Sequence, residues 1–270
     1  MARGFAALLF SFLLSPALAP AASGLPPLEE GGGPPVRGRV ALIIDDLGKG
    51  LAEGRAVVAL PAPVACAFLP HATYTPELAR AAHGAGKEVM LHLPMQTVEP
   101  RPLDPGALRL DMTRSQFLAV LAQDMARVPH LTGINNHMGS LLTRHPGHMA
   151  WLMAAIKARG DLFFVDSRTT RHTVALRIAR EQGVPSIKRD VFLDDDRDPA
   201  EIERQFERLL GIARRQGFAL GIGHPYPETL ALLARRLPAL RGEGIELVPV
   251  RRLVQLEQGR EQTWQASLSH

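Results

Sequence analysis

From Val40 onward, short apolar runs alternate with amphipathic stretches. The apolar runs are Val40–Ile44, Val64–Leu69, Glu88–Leu91, Thr132–Asn135, Leu162–Val165, Ile187–Phe192, Ala219–Gly223 and Glu246–Val250. They are short and apolar at successive positions, as expected of parallel strands covered on both faces. Helix starts separate them. Thr75-Pro76-Glu77 and Asp198-Pro199-Ala200-Glu201 each place a cap before a proline and an acidic first turn. Thr113 followed by Gln116 forms a capping-box pattern, and Pro146 and Pro227 open two further helices. Gly84, Gly86, Gly160, Gly183 and Gly217 follow helical stretches, where a left-handed stop is needed. Seven or eight strand-helix units in one uninterrupted run predict an α/β fold, with an irregular barrel favoured over an open sheet. The one long irregular connection, Pro94 to Met112, is a candidate lid or substrate-binding loop.

The N-terminal stretch has a different pattern. Met1-Ala2-Arg3 is a short basic segment, Phe5 to Leu14 is apolar apart from Ser11, and small residues follow to Ser23. That is the three-part build of a secretory signal peptide, with cleavage near Ala22 to Gly24. The apolar run is short for a stable membrane span. Residues 1–23 are therefore read as a signal peptide and 24–38, rich in Pro, Gly and Glu, as a flexible linker. Residues 39–257 form the folded domain, and 258–270 a polar, frayed tail. The expected location is the periplasm.

Composition narrows the chemistry. The 270 residues carry a net charge of +4 and are 46% hydrophobic, which excludes wholesale disorder. The single cysteine, Cys66, excludes an internal disulfide framework and a cysteine-built zinc site. Basic residues do not cluster among aromatics, so a nucleic-acid surface is not expected.

Ionisable and amide residues gather where the predicted strands end: Asp45 and Asp46, His92, then Asn135-Asn136-His137, Asp166, Asp190 with Asp194-Asp195-Asp196, and His224. In a parallel α/β fold these points share one face, where active sites form. Two histidines and an aspartate can hold a divalent cation and leave positions open for water and substrate. A further carboxylate and histidine remain as base and acid. The adjacent pair Asp45-Asp46 is the sharpest signal, because two neighbouring carboxylates repel unless a cation sits between them. For Asp166 a turn role and a catalytic role weigh about equally. Asp194-Asp195-Asp196 reads as a solvated loop. No nucleophile-elbow pattern surrounds Ser140, Ser167 or Cys66, which disfavours covalent catalysis.

Five ordered motifs carry a resemblance to a known family. They are Ile43-Ile44-Asp45-Asp46-Leu47-Gly48, Glu88-Val89-Met90-Leu91-His92-Leu93-Pro94-Met95, Gly133-Ile134-Asn135-Asn136-His137-Met138-Gly139-Ser140, Phe164-Val165-Asp166-Ser167-Arg168-Thr169 and Gly221-Ile222-Gly223-His224-Pro225-Tyr226-Pro227. Together they resemble the divergent polysaccharide deacetylases, which are similar to carbohydrate esterase family 4. The resemblance covers about Val40 to Leu256. It implies a distorted (β/α) barrel, a divalent metal, usually zinc, and removal of acetyl groups from an envelope polysaccharide. It assigns Asp45 as base, Asp46, His92 and His137 as metal ligands, and His224 as acid. Asp166 would orient a partner or bind substrate, and Asn136, Arg168 and Tyr226 would contact substrate. The better-known enzymes carry two metal histidines four residues apart, but Gln96 stands four residues after His92. Their Arg-x-Pro-Tyr-type motif is also missing here. These departures motivate an alternative, a non-catalytic envelope protein that keeps the fold and binds glycan or a protein partner.

Overall fold

A computed structural model describes residue 1 and residues 35–268; residues 2–23 of the expected signal peptide and 24–34 of the expected linker lie outside the described residues. Nine parallel strands are described: β1 (Gly38–Leu47), β2 (Ala65–Phe68), β3 (Val89–Met95), β4 (Leu131–Met138), β5 (Phe163–Asp166), β6 (Ser186–Lys188), β7 (Val191–Phe192), β8 (Phe218–Gly223) and β9 (Ile245–Leu247). Eight α-helices lie between or after them: α1 (Leu51–Val58), α2 (Thr75–Gly84), α3 (Arg114–Arg127), α4 (Pro146–Arg159), α5 (Ala175–Glu181), α6 (Pro199–Gln216), α7 (Pro227–Arg236) and α8 (Val250–Leu268). The sheet runs β6-β5-β4-β3-β2-β1-β8-β7, with β9 added beside β1. This is the distorted (β/α) barrel that the strand-helix alternation predicts.

Its distortion has a specific place. The single strand expected over Ile187–Phe192 is broken into β6 and β7, which form opposite edges of the sheet. The Arg189 amide donates to Asp166 O at 3.0 Å, on the β5 side, and the next amide, Asp190, donates to Leu220 O at 2.9 Å, on the β8 side. The two edges are thus joined through the chain itself at one peptide, with no β6–β7 ladder. The Asp190 carboxylate accepts the Leu220 amide at 2.9 Å on the same seam.

Alternation along each strand sorts the core into two clusters. Val40, Leu42, Ile44, Cys66, Phe68, Leu91, Ile134 and Phe164 face outward, packing with helix residues such as Phe117, Leu152 and Phe206. Ala41, Ile43, Ala65, Ala67, Met90, Phe163, Val165, Leu220 and Ile222 fill the barrel, which Val250, Leu253 and Val254 of α8 close. The start of α8 is held by Glu88, whose carboxylate accepts the Val250 and Arg251 amides at 2.5 and 3.0 Å. These are donors that a helix start leaves unpaired. Val250, expected to end a strand, begins this helix. The residues expected to form a frayed tail from 258 onward continue it to Leu268. Their polarity is that of an exposed helix, not of an unstructured end.

The capping signals are met at Thr113, with the full capping box, and at Asp198. Thr75 departs from expectation. It lies inside α2, and its hydroxyl donates to Leu69 O at 2.6 Å instead of capping. Among the punctuating glycines, Gly86, Gly160, Gly183 and Gly217 have positive φ, whereas Gly84 remains within α2. Cys66 is buried on β2, and burial pushes its thiol up to about 12, so it is inert.

Candidate metal centre

The inward-facing series ends in polar groups at the carboxyl ends of the strands. Asp45 follows Ala41 and Ile43, His92 follows Met90, Asn135 and His137 follow Gly133, and His224 follows Leu220 and Ile222. Asp46 joins them by breaking the alternation. It adopts φ 58°, and the β1–β2 register shifts between Ile44 and Leu47. Aspartate tolerates this left-handed conformation better than most residues. Met138 and Arg168, at the ends of β4 and β5, also have positive φ, 53° and 50°. Three strand ends at this mouth therefore carry local backbone strain.

Asp46 Oδ1, His92 Nε2 and His137 Nδ1 form a small triangle. The two ring nitrogens are 3.0 Å apart, and they lie 3.3 and 3.1 Å from the carboxylate oxygen. Asp46 Oδ1 is nevertheless buried without a properly directed hydrogen bond. Three lone-pair donors converging on one point, with an orphaned oxygen among them, fit a divalent cation bound by nitrogen and oxygen ligands. Burial works to raise the Asp46 carboxyl, but His137 and His92 outweigh it and hold it well below the usual carboxylate range.

Each histidine is oriented through its other nitrogen. His92 Nδ1 is 3.1 Å from Asn135 Oδ1, and His137 Nε2 is 2.9 Å from Asp104 Oδ2. Such partners fix the tautomer that leaves the facing nitrogen free to coordinate. Asn135 also donates to Asp45 Oδ1 at 2.9 Å and to Ser167 Oγ at 3.2 Å. It therefore ties a ligand histidine to the neighbouring carboxylate. Burial pushes the Asp45 carboxyl up, although His92, His224 and Asn135 oppose this. The barrel mouth also makes the His92 imidazole more basic, because Asp45 and Asp46 outweigh its burial.

His224 lines the same cleft as Asp45, Asp46, His92 and His137. Its Nδ1 donates to Asp194 Oδ1 at 2.8 Å and its backbone amide to Asp194 Oδ2 at 2.7 Å; the Thr229 hydroxyl donates to Oδ2 at 2.7 Å. Burial opposes a charged imidazole, but Asp194, with help from Asp45 and Asp46, raises His224 to about 9. Asp194 is only 3% exposed. The expectation that the whole Asp194-Asp195-Asp196 run is a solvated loop is therefore corrected: its first member is buried and aims a histidine.

Other expected site residues are distributed differently. Asp166 shares its side of β5 with Phe164, outside the barrel. Its carboxylate accepts the Arg168 and Leu176 amides and the Thr173 hydroxyl, so it builds the turn into α5. That is the turn role, and the structure does not bring Asp166 to the metal triangle. Arg168 lines separate pockets beside the seam. Asn136 borders the central cleft, but both ends of its amide are engaged, with the Ser167 amide and with Met138 O. Tyr226 stands in an adjoining pocket that shares Asp46 and His224, with the Arg197 guanidinium 4.3 Å from its ring centre. Sequence reasoning gave no role to Asn135 or Asp104. Asn135 carries a readable signal, two residues before His137 and on the same strand face. Asp104 lies in the irregular 94–112 segment, where no periodicity points to it.

A sequence profile described as divergent polysaccharide deacetylase matches residues 42–254. The chain belongs to this family. It is 40% identical over 200 residues to YibQ, an uncharacterized protein of Escherichia coli K12, covering 74% of this chain and 62% of that protein. The chain thus spans less than two thirds of that relative. An uncharacterized protein of Haemophilus influenzae Rd is 40% identical over 210 residues, covering 78% and 74%. Among solved structures, the uncharacterized protein ATU2773 of Agrobacterium tumefaciens C58 has a TM-score of 0.76 at 26% identity, over 80% of this chain and 89% of that one. A mutant of BA3943, a CE4 family pseudoenzyme with restored enzymatic activity, shares the fold at TM-score 0.52 and 17% identity, over 82% and 69%. In this chain the triangle, Asp45 and the Asp194–His224 pair meet at the barrel mouth.

Proposed function

We propose that this protein is an exported, metal-dependent carbohydrate deacetylase that removes acetyl groups from an envelope polysaccharide. The observation that carries the reading is the triangle of Asp46, His92 and His137 with an orphaned buried oxygen, in one cleft with Asp45 and His224. A divalent cation such as zinc, held by those three residues, would supply Lewis acidity toward the acetyl carbonyl and lower the pKa of water. Asp45, buried and raised in pKa, takes the proton of the attacking water. His224 is protonated at neutral pH and gives its proton to the departing amine or alcohol. Water adds to the carbonyl, the carbon–nitrogen or carbon–oxygen bond breaks, and acetate leaves. Asn135 holds Asp45 and His92 in fixed relation, so base and ligand do not have to find each other. The N-terminal basic, apolar and small-residue segments support export to the periplasm.

The test is acetate release from acetylated oligosaccharides by protein purified without chelator. Asp45→Asn should lower turnover by roughly 10²- to 10⁴-fold, the range for removal of a general base. Bound metal, read by elemental analysis, should stay near that of the unaltered protein. Undiminished acetate release by this variant would overturn the base assignment. Gln96 favours a second, non-catalytic reading, because its side chain accepts the Leu110 amide and serves the loop. A protein that binds glycan with neither bound metal nor acetate release would match that reading.

A further inference from the structure

The 94–112 segment is not a free loop. It is tied down at its start, where Gln96 N donates to Leu108 O and Leu108 N donates to Pro94 O, both at 2.9 Å. Gln96 O accepts the Leu141 and Leu142 amides just beyond β4. It is pinned again at Gly106, where φ is +82° and the backbone presses on the pair of buried Asp124 and partly exposed His71. A Cβ there would lie 2.4 Å from Asp124 Oδ1 and 2.8 Å from the His71 ring. Between these anchors Glu99 lines the cleft, and Asp104 reaches a ligand histidine. Asp104 Oδ2 lies 2.9 Å from His137 Nε2, and its Oδ1 lies 3.3 Å from Lys49 Nζ, on the turn that follows Asp46.

We propose that Asp104 is a positioning residue for the metal centre, and that the 94–112 segment is a strap whose order and the metal's affinity are thermodynamically coupled through it. The inference rests on the reading of Asp46, His92 and His137 as a cation site. Asp104 accepts the Nε2 proton of His137. This selects the tautomer with a bare Nδ1, the atom that faces Asp46 and His92. A carboxylate in that position also makes the ring a stronger donor. His92 has only a neutral amide in the equivalent place, so His137 is the ligand oriented by a carboxylate. Because Asp104 comes from the strap, anything that lifts the strap removes the orienting group. By linkage, a cation that prefers the oriented ring must in turn hold the strap down. Lys49 shares the carboxylate through its other oxygen, Oδ1.

Zinc and cobalt affinities, measured by competition with a chromophoric chelator, read the first half. Asp104→Ala should weaken metal binding by 10- to 100-fold, the range for loss of an orienting partner. Asp104→Asn keeps an acceptor oxygen without the charge and should fall between. Lys49→Met breaks the ion pair but leaves the His137 contact, and should change affinity by much less than Asp104→Ala. Hydrogen exchange reads the second half. Zinc should slow exchange at residues 97–107 in the unaltered protein and lose that effect in Asp104→Ala. The melting temperature without metal shows whether each variant is folded. An Asp104→Ala protein that is folded and binds zinc as tightly as the parent overturns the proposal. So does a Lys49→Met loss equal to that of Asp104→Ala, which would make Asp104 a strap anchor only. A parent protein that binds no metal would instead overturn the cation site itself.

Discussion

Replacing Asp194 with asparagine isolates one interaction at the barrel mouth. The carboxylate accepts three hydrogen bonds, two from His224 and one from Thr229, and asparagine offers one oxygen where the native residue has two. The variant must turn an NH2 group toward a donor, either the His224 ring or the backbone amide and Thr229. It also removes the nearest negative charge from a histidine that stands at about 9 against an ordinary 6.5. That interval corresponds to about 3 kcal/mol in favour of the imidazolium. Part of it comes from Asp45 and Asp46, but the hydrogen bond and charge of Asp194 are the largest favourable contributions. Proton NMR of the His224 ring in metal-free Asp194→Asn should therefore show a midpoint lowered by one to two pH units, roughly. The alkaline limb of the kcat/KM profile should move the same way, with activity near pH 8 falling by roughly two- to tenfold. The stability sign follows from the same values. The His224 contribution is fully present below pH 6.5 and lost as pH rises through about 9. The variant should thus be penalised more at pH 6 than at pH 9.5. A His224 ring still titrating near 9 in the variant, or an unmoved alkaline limb, would refute the assignment of Asp194 as the group that charges it.

Two further outcomes test the scaffold. Burial pushes the fully buried Asp124 carboxyl up to about 8, against an opposing effect of Arg127, and leaves its Oδ2 without a partner. Here the folded state prefers the protonated form, so stability falls as pH rises from 3.8 through about 8. Asp124→Asn should melt higher than the parent at pH 9 and not at pH 4; equal melting differences at both would refute the burial cost. Glu88→Ala removes the acceptor for two amides at the start of α8, and should cost about 1–2 kcal/mol in urea unfolding with metal affinity unchanged. A cost within error of zero would show that α8 needs no such cap to close the barrel.

The sequence carried the architecture further than it carried the site. The strand-helix alternation and the Thr113 and Asp198 caps were local signals, and local interactions honour them. Asp45, Asp46, His92, His137 and His224 were legible because a strand end is where a parallel fold must expose polar groups. Asp166 looked equivalent by that criterion, yet it lies outside the barrel. Strands buried on both faces show no polar–apolar alternation, so the side on which a terminal residue emerges is hidden. Phe163 and Phe164 are both fully buried and give no hint of which one faces inward. Asp194 was obscured by its neighbours, because three consecutive acids read as solvated although one is turned into the protein. Asp104 reaches His137 across 33 positions from an irregular segment, a relation that exists only in three dimensions. The helical end of α8 was missed by weighing polarity alone, although glutamine, glutamate and arginine are good helix formers.

The seam at Arg189–Asp190 gives the barrel the mechanics of a split ring. His224, Asp45, Asp46, His92 and His137 all belong to the unbroken arc β8-β1-β2-β3-β4, where every adjacent pair of strands is laddered. The split falls on the other side of the mouth, in a wall lined by Arg168, Arg189, Phe192 and Asp195. No ladder rung crosses the mouth there; side-chain and loop contacts of Arg189 and Asp190 close it. Reacting groups separated by ångström tolerances thus ride on the stiff part of the ring. Any compliance at the seam is placed where it leaves their spacing untouched.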